Sequence, residues 1–340
     1  MTVYIIAEIG PNHNGSFEKA IKIVDEIKKT GANAVKFQMA NPEKVYSKDS
    51  FKANYQIKND GKRSIIQMSK ANQLSKEQHL KLSKYCKKKK LEYLCTAFDI
   101  DSLKFLIEKI KVKFVKIASG EVFDLEALNY LSKINKTIFL STGLATEKNL
   151  FNSLKILNKN FKKKIILMHC ISNYPANPSS INMRYLLKLK SIFKCDIGYS
   201  DHSLSPNSSI VAVSLGAKVI EKHVTLNKKN LGPDHKISSS IKEFNELVKN
   251  IREVEIILGK SRKFFTKETN EISRVARKSI VSKNFIKKGM RILKKDLQFK
   301  RPGTGISPFD INKIIGKLSV RDIKPDYVVK YSDIANFTTK

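Results

Sequence analysis

Two lysines stand inside short runs of otherwise apolar residues, at Lys36 and at Lys116. Burying an ammonium group without a partner is costly, so both lysines are expected to face an anion. The hydroxyl groups of Ser119 and Ser141, close to the ends of such runs, would add hydrogen-bond donors for a phosphate or a carboxylate. We therefore predict an anion site that contains both lysines. The alternative for either one is a side chain that reaches outward between helices.

Two histidines, His202 and His223, end neighbouring apolar runs, so their imidazoles are expected to converge. Two histidines completed by oxygen ligands suit a catalytic divalent metal with open positions. Histidines of the core or the surface are the alternative. A Schiff base on Lys36 or Lys116 is a second possible chemistry, but two lysines among hydroxyl groups, with two histidines opposite, fit anion binding plus a metal better.

Eight apolar runs with strand character alternate with amphipathic stretches of helical period. The predicted strands cover residues 3–9, 34–38, 91–96, 114–118, 137–141, 165–170, 195–199 and 218–223. Helices are predicted from the cap at Ser16, from the capping box at Ser75, and over residues 101–109, 125–134, 146–158, 182–190, 207–215 and 240–258. Such alternation predicts parallel sheet with right-handed crossovers, and eight strands close a (β/α)₈ TIM barrel. A doubly wound sheet is less favoured, because its GxGxxG turn is absent after the first strand.

The carboxyl ends of barrel strands carry the active site in enzymes of this fold. Polar residues are concentrated at those ends in this chain. Besides the lysines and histidines, they include Glu8, Gln38, Ser119, Glu121, Ser141, Ser172, Tyr174 and Ser200.

The chain after residue 260 has a different character. A polar, charged segment over residues 261–280 is predicted to be a linker between a barrel domain of residues 1–260 and a small domain of residues 281–340. Short strand-like runs separated by turn signals predict that the small domain is mostly β.

The formal net charge of +34 raises nucleic-acid binding as a class. The charge is mostly lysine spread over the whole chain, whereas nucleic-acid readers concentrate it and use arginine forks and exposed aromatic rings. We therefore expect no specific nucleic-acid partner. No apolar run is long enough for a membrane span, and the N-terminal stretch lacks a basic region, so we expect a cytoplasmic protein with its four cysteines reduced.

A series of motifs resembles the sialic acid synthase family over essentially the whole chain. They are the segments 7–15 (AEIGPNHNG), 35–38 (VKFQ), 116–121 (KIASGE), 140–143 (LSTG), 169–170, 173–175 (NYP), 198–203 (GYSDHS), 221–223 (EKH) and 232–235 (GPDH). Segments 276–279 (ARKS) and 300–303 (KRPG) are similar to the family's C-terminal antifreeze-like SAF domain.

The resemblance implies a TIM barrel that condenses phosphoenolpyruvate with N-acetylmannosamine or a related N-acetylhexosamine-type sugar, releasing phosphate. It implies that His202 and His223 bind Mn²⁺ or Mg²⁺, and that a domain-swapped homodimer inserts Arg301 into the partner's barrel. The implied phosphoenolpyruvate contacts are Lys36, Lys116, Ser119, Ser141 and Ser200; the implied sugar contacts are Gln38, Tyr174 and Asp234; and the implied further carboxylates are Glu8 and Glu121.

One position departs from the family pattern. Ser172 stands where some members have asparagine, which leaves its contact with phosphate open. The pair Asp234-His235 resembles the neuraminate and legionaminate branches more than the pseudaminate branch. The motifs fit N-acetylmannosamine, its 6-phosphate and a 2,4-diacetamido sugar alike, and we expect an unphosphorylated N-acetylmannosamine-type sugar.

Overall fold

The computed structural model describes residues 2–160 and 164–336. The chain forms two compact units, Met1–Gly259 and Lys260–Lys340. The eight main strands of the first unit are β1 (Tyr4–Glu8), β2 (Ala34–Met39), β3 (Glu92–Ala97), β4 (Phe114–Ile117), β5 (Thr137–Ser141), β6 (Ile165–His169), β7 (Asp196–Asp201) and β8 (Val219–Thr225).

Each of these strands pairs in parallel with the next, and β8 pairs in parallel with β1. The sheet is therefore closed, and the predicted TIM barrel is confirmed. The register places Glu8 beside both Lys36 and His223. A short strand, β9 (Ser239–Ser240), extends the sheet next to β8.

The barrel is surrounded by helices α1 (Phe17–Thr30), α2 (Pro42–Val45), α3 (Asn54–Asp60), α4 (Ile65–Ala71), α5 (Lys76–Lys88), α6 (Ile100–Phe105), α7 (Leu125–Ser132), α8 (Glu147–Leu157), α9 (Tyr185–Phe193), α10 (Asn207–Ser214) and α11 (Ile241–Leu258). A π-helical turn continues α6 over Leu106–Ile110, and short 3₁₀ helices cover Glu121–Phe123, Pro178–Ser180 and His235–Ile237. Within the described residues, no helix is both long and apolar enough to cross a membrane.

Helix α1 shows why the sequence folds in this way. The Ser16 side chain accepts a hydrogen bond from the backbone N–H of Lys19, which satisfies a free donor of the first turn. Ala20, Ile23 and Ile27 recur at helical spacing and are buried against the barrel. Gly31 ends the helix in the left-handed conformation, with φ at 81°. The predicted capping box at Ser75 also begins α5.

Side chains alternate between the two faces of each strand, and this alternation builds the barrel interior in layers. One interior layer is apolar and includes Ile6, Leu94, Phe139 and Val219. Two residues further along the same strands lie Glu8, Thr96, Ser141 and Glu221. The same alternation that fills the barrel therefore places polar groups at its carboxyl end.

The second unit contains α12 (Lys267–Ala276), an antiparallel pair of strands, β10 (Ser279–Ser282) and β11 (Leu297–Lys300), and the short helix α13 (Ile311–Ile314). Isolated bridges join further segments, among them Val281 with Val328. Its separate core is built from Ile280, Ile286, Ile292, Leu297, Ile306, Ile314, Ile323, Val329 and Ile334. This mostly irregular β arrangement is the predicted small domain.

Two segments differ from the prediction. Residues 42–71, for which no helix was predicted, form the short helices α2 to α4. The segment predicted as a linker contains α12, which begins at the cap Thr266 and has no buried residue. Its apolar residues are confined to its second half, at Ile272, Val275 and Ala276, and the rest of the segment is polar and charged, so the composition favoured a linker over a helix.

Candidate active site

A cavity of about 340 Å³ opens at the carboxyl ends of the barrel strands. Its walls come from most of the strands and from the segments that follow them. The sequence-predicted residues that line it are Lys36, Gln38, Lys116, Ser119, Ser141, Ser172, Tyr174, Ser200, His202 and His223. The barrel therefore brings together most of the predicted site.

Lys36 is buried at the base of this cavity. Its Nζ contacts the carboxylate of Glu8 and lies 3.9 Å from Glu221 Oε1. It also donates a hydrogen bond to the hydroxyl of Thr96 at 3.0 Å. Burial opposes the charge on Lys36, but the carboxylates of Glu221 and Glu8 outweigh it and raise the pKa of the lysine. Lys36 is therefore held as a cation.

Lys116 faces the same carboxylate from the other side. Its Nζ lies 3.8 Å from Glu221 Oε1 and donates to Ser141 Oγ at 2.7 Å. Burial lowers the pKa of Lys116, with the attraction of Glu221 opposing it. Ser200 Oγ donates to Glu221 Oε1 at 3.1 Å. One carboxylate thus lies between two ammonium groups at the floor of the cavity.

Glu8 lies behind this floor and is fully buried. Gln38 Nε2 donates to Glu8 Oε1 at 3.0 Å and to the Gly10 carbonyl at 3.1 Å. Burial raises the pKa of Glu8, and the charge of Glu221 adds to the rise while Lys36 opposes it. For Glu221 burial acts in the same direction, but Lys116 and Lys36 outweigh it and lower its pKa. The two carboxyl groups therefore differ in proton affinity.

The two histidines lie side by side on one wall, with ring centroids 5.6 Å apart. His202 Nδ1 lies 2.7 Å from the carbonyl oxygen of Ile171, and because a carbonyl only accepts, Nδ1 carries the proton. Nε2 of the neutral ring is then free to accept, with the hydroxyls of Tyr174 and Ser200 at 3.3 and 3.4 Å. Burial lowers the pKa of His202 to about 4, so the ring is neutral near pH 7.

His223 is equally buried, and burial followed by the charge of His202 lowers its pKa well below the usual value. Its Nδ1 has no hydrogen-bond partner among the described residues and lies 3.7 Å from Asp234 Oδ2. Burial raises the pKa of Asp234 to about 7.

The side chains of this site supply only some of the ligands that a divalent ion needs. Among the described residues, no group of three or more His, Cys, Asp or Glu side chains is arranged to hold a metal. Two neutral imidazoles do converge, and the unpartnered Nδ1 of His223 is an available donor atom. An ion bound there would keep most of its coordination positions for water or substrate oxygens.

The opposite wall carries small hydroxyl groups and a glycine. Ser119 and Ser172 form a hydrogen bond at 3.1 Å between their Oγ atoms. A Cβ at Gly143 would lie 2.5 Å from Ser172 Oγ and 2.8 Å from Cys170 Sγ, so any larger residue there would displace these two side chains. The serine at position 172 is therefore part of the cavity wall.

A second cavity, of about 240 Å³, adjoins the first and shares with it Gln38, Tyr55, Gln56, Phe98, Tyr174 and His223. It is otherwise lined by Pro11, Tyr46, Met68, Ser69, Asn72, Gln73, Pro233 and Asp234. None of the described residues in this lining is a lysine or an arginine, although the chain as a whole is strongly basic.

Two predicted residues, Glu121 and Arg301, do not belong to the linings of these two cavities. Glu121 follows β4 in a 3₁₀ turn and lines a separate cavity of about 20 Å³ together with Asp99 and Asp124. Burial, with the charges of Asp124 and Asp99, raises the pKa of Glu121 to about 7. Arg301 belongs to the second unit, where it is exposed directly after β11.

The structure adds residues that the sequence reasoning did not assign. Glu221 is the carboxylate between both lysines, and its position two residues before His223 on one strand was the signal that both face inward. Tyr55, on α3, lines both cavities. No strand alternation predicts its position, because it lies in the segment between β2 and β3.

A closed parallel barrel with polar and ionisable groups gathered at the carboxyl ends of its strands has the arrangement of the active sites of barrel enzymes. Comparison with protein families is more specific: residues 23–263 match the NeuB family, and residues 277–335 match the SAF domain. The chain therefore belongs to the NeuB family and carries a SAF domain.

Named relatives cover nearly the whole chain. The N,N'-diacetyllegionaminic acid synthase of Campylobacter jejuni is 38% identical over 96% of this chain and 98% of that protein, and the enzyme of that name from Legionella pneumophila is 37% identical over 93% and 90%. The crystal structure of an N-acetylneuraminic acid (sialic acid) synthetase from Leptospira borgpetersenii, in complex with citrate, has a TM-score of 0.71 and 32% identity, covering 80% of this chain and 90% of that one. The family is thus one of nonulosonic acid synthases.

Proposed function

We propose that this protein condenses phosphoenolpyruvate with an N-acetylhexosamine-type sugar to give a nonulosonic acid and phosphate, with cleavage of the C–O bond of phosphoenolpyruvate. The observation that carries the proposal is the pair of buried lysines, Lys36 and Lys116, which share Glu221 at the floor of the cavity. Such a pair suits a small substrate that carries both a phosphate and a carboxylate, because each anionic group then meets an ammonium group.

The lysines would fix the orientation of the enol, which must attack the open-chain aldehyde of the sugar. Ser119, Ser141 and Ser200 would donate hydrogen bonds to the phosphate or the carboxylate, and Ser172 shares a hydrogen bond with Ser119. In this assignment the cations replace the water that solvates phosphoenolpyruvate in solution, without moving during the reaction.

His202 and His223 would hold the divalent ion, Mn²⁺ or Mg²⁺. Such an ion supplies Lewis acidity toward the carbonyl oxygen of the sugar. The histidines suit this role because burial keeps both rings unprotonated, and the Ile171 carbonyl fixes the His202 tautomer with Nε2 unprotonated.

We assign to Glu8 the role of base toward the water molecule that takes part in the reaction. After the new carbon–carbon bond forms, water adds to the oxocarbenium carbon, the former C2 of phosphoenolpyruvate, and the resulting tetrahedral carbon expels phosphate to leave a keto group. In its ionised form this carboxylate, held by Gln38 beside Lys36, can accept the proton of that water, and its raised pKa makes it a stronger base.

The sugar is assigned to the second cavity, where Gln38, Tyr174 and Asp234 meet. A phosphate in this cavity would find no cation among the described lining residues, and an unpaired dianion is costly to desolvate. This argues for an unphosphorylated N-acetylmannosamine-type sugar. A 2,4-diacetamido sugar is the alternative, supported by the names of the relatives at 38% and 37% identity.

The test is release of inorganic phosphate from phosphoenolpyruvate by the purified protein. Release should require both substrates, and the panel should hold N-acetylmannosamine, its 6-phosphate and the 2,4-diacetamido sugar. Phosphate release without any sugar, or none with the whole panel, contradicts the proposal. A clear preference for the 6-phosphate contradicts the assignment of the second cavity.

We further propose that the active form is a domain-swapped homodimer in which Arg301 reaches the partner's barrel. Large apolar side chains are exposed at Phe51, Ile57 and Leu231, in the segments that flank the cavities, which suits a surface covered by another subunit. The Arg301→Ala and Lys116→Ala variants should each be inactive, and mixing them should restore part of the activity. Full activity of Arg301→Ala, or no rescue after proven subunit exchange, contradicts the swap.

An aldolase that forms a Schiff base on Lys116 is the second candidate, and the lowered pKa of this lysine favours it. Borohydride reduction in the presence of pyruvate would trap such an adduct, and mass spectrometry would locate it. Absence of the adduct in a protein that releases phosphate dismisses this candidate.

A further inference from the structure

Helix α3 lies in the segment between β2 and β3 and contributes Tyr55 and Gln56 to both cavities. The ring of Tyr55 stacks on that of Tyr174, with centroids 5.0 Å apart and planes at 25°. Tyr174 in turn stacks on His202 at 4.2 Å and 27°. Three rings therefore form a continuous stack that begins on α3 and ends at a histidine of the first cavity.

A seven-residue helix is not stable by itself, so tertiary contacts must hold α3 in place. Lys52, directly before it, is buried and donates to Asp60 Oδ2 at 3.1 Å, to the Gly61 carbonyl at 2.7 Å and to the Arg63 carbonyl at 3.0 Å. All three donors of the ammonium group are thereby used. We call this ion pair of Lys52 and Asp60 the α3 clasp.

The far end of α3 is attached to the segment after β8. Asn59 Nδ2 donates to the Pro233 carbonyl at 2.9 Å, and the backbone N–H of Gly232 donates to the Asn59 carbonyl at 3.3 Å. The next residue, Asp234, lines the second cavity opposite Tyr55. The clasp and this attachment fix the distance between Tyr55 and the wall formed by Asp234.

We propose that Tyr55 is a specificity-determining residue for the sugar, and that the α3 clasp is the device that positions it. This inference rests on the proposed function. The Tyr55 ring stands between the cavities as an apolar face for the carbon skeleton of the sugar, and its hydroxyl meets a polar substituent. Because Tyr55 faces the second cavity, whose described lining contains Asp234 but no lysine or arginine, the substituent that it reads is an uncharged amide or hydroxyl group.

The test measures the steady-state constants for both substrates in variants of Tyr55. Tyr55→Ala should raise the sugar KM at least about tenfold, since a stacked ring and a hydrogen bond are lost together, while the phosphoenolpyruvate KM stays within about twofold. Tyr55→Phe should recover most of the loss. The matched control is Lys58→Ala, an exposed residue of the same helix, which should leave both constants unchanged.

The clasp is tested with Lys52→Met, compared with Lys44→Met, which removes an exposed ion pair to Asp101. Lys52→Met should raise the sugar KM in the same direction as Tyr55→Ala and leave the phosphoenolpyruvate KM unchanged, whereas Lys44→Met should change neither. A melting temperature lowered in Lys52→Met with an unchanged sugar KM would show a purely structural ion pair and overturn the positioning role.

A binding measurement separates this inference from the proposed function. The chain contains no tryptophan, so Tyr55→Trp introduces a single tryptophan at the cavity, and Lys58→Trp places one at an exposed position of the same helix. N-acetylmannosamine or the diacetamido sugar should change the emission of the first variant only. A sugar KM unchanged in Tyr55→Ala, in an enzyme whose wild type releases phosphate, overturns the inference; a wild type that releases none overturns the proposed function instead.

Discussion

Strand β8 carries two buried charged residues on its opposite faces, Glu221 toward the barrel interior and Lys222 toward α10. Each belongs to a cluster of lysine and carboxylate. The mouth cluster consists of Glu8, Lys36, Lys116 and Glu221, and the outer cluster consists of Asp201, Ser203, Ser208, Ser209 and Lys222. Both clusters are removed from water, but they differ in how completely their polar atoms are paired.

In the outer cluster the charges are paired by fixed groups. Lys222 Nζ lies 2.9 Å from Asp201 Oδ2 and donates to the Ser203 carbonyl at 2.5 Å. Asp201 also accepts from the hydroxyls of Ser203, Ser208 and Ser209 at 2.7, 2.9 and 2.7 Å. These bonds tie the end of β7 to the first turn of α10. The outer cluster therefore has a structural role.

In the mouth cluster, pairing is incomplete. Glu221 Oε2 has no hydrogen-bond partner among the described residues, and the nearest contacts of Glu221 Oε1 with the lysines are 3.8 and 3.9 Å long. An unfilled buried polar group is costly unless a ligand completes it. The difference indicates that the mouth cluster binds a ligand. Its incomplete pairing destabilises the folded protein, whereas the paired outer cluster does not.

The largest expected effect is on activity, in Lys116→Met. The kcat/KM for phosphoenolpyruvate, measured by phosphate release, should fall by about 10²–10³-fold, the usual loss when one preorganised charge is removed. The melting temperature should stay within a few degrees of wild type, because burial already disfavours the charged lysine. A variant that retains activity, or one that fails to fold, would contradict the functional reading of the mouth cluster.

Removal of the metal is expected to have the next largest effect on activity. Treatment with EDTA should lower activity by at least about 100-fold, since polarisation of a carbonyl by an ion supplies several kcal/mol, and Mn²⁺ should restore it. His202→Ala should abolish the rescue without changing the circular dichroism spectrum. Activity that survives thorough chelation would count against the two histidines as metal ligands.

Lys222→Met should show the opposite pattern to Lys116→Met. Removing one partner of a buried ion pair costs about 3 kcal/mol or more, so the urea midpoint should fall clearly. Below the unfolding transition, the sugar and phosphoenolpyruvate KM values should stay within about twofold of wild type. The comparison between the clusters fails if this variant loses activity while its stability is unchanged.

Much of this arrangement was predictable, since strand alternation fixes which residues face inward. Lys36 and Lys116 were placed at the mouth because they interrupt short apolar runs, and the structure locates both there. The short helices α2 to α4 were not predictable, because helices of four to seven residues depend on tertiary contacts such as those of Lys52. Tyr55 was missed for the same reason.

Glu121 lies beyond the residues whose direction can be predicted from the alternation of a strand. It follows β4 by four residues, in a 3₁₀ turn, so the alternation of the strand no longer sets its direction. Arg301 is a different case, since it belongs to the second unit and only the resemblance to the family assigned it to an active site. Roles in the reaction, unlike positions in the barrel, remain predictions for the experiments above.

The smallest expected effect is the pH dependence of stability caused by Glu121. Its pKa is raised from 4.5 to about 7 in the folded protein, first by burial and then by Asp124 and Asp99, with Lys116 on the same small cavity. Between pH 4.5 and about 7 the folded state therefore binds more protons at this group than the unfolded state does, and stability falls as the pH rises through this window. Below pH 4.5 the contribution of neutral Glu121 is fully present.

Glu121→Gln should abolish this component, since glutamine has a similar shape and does not titrate. The melting temperature of the variant should rise relative to wild type by a few degrees between pH 4.5 and 7, and the difference should then stay constant. Glu126→Gln, on the exposed face of α7, is the matched control and should follow the wild-type curve. A constant difference in melting temperature between Glu121→Gln and wild type across this range would mean that Glu121 is already ionised in the folded protein. Glu121 would then be available as a carboxylate for the reaction.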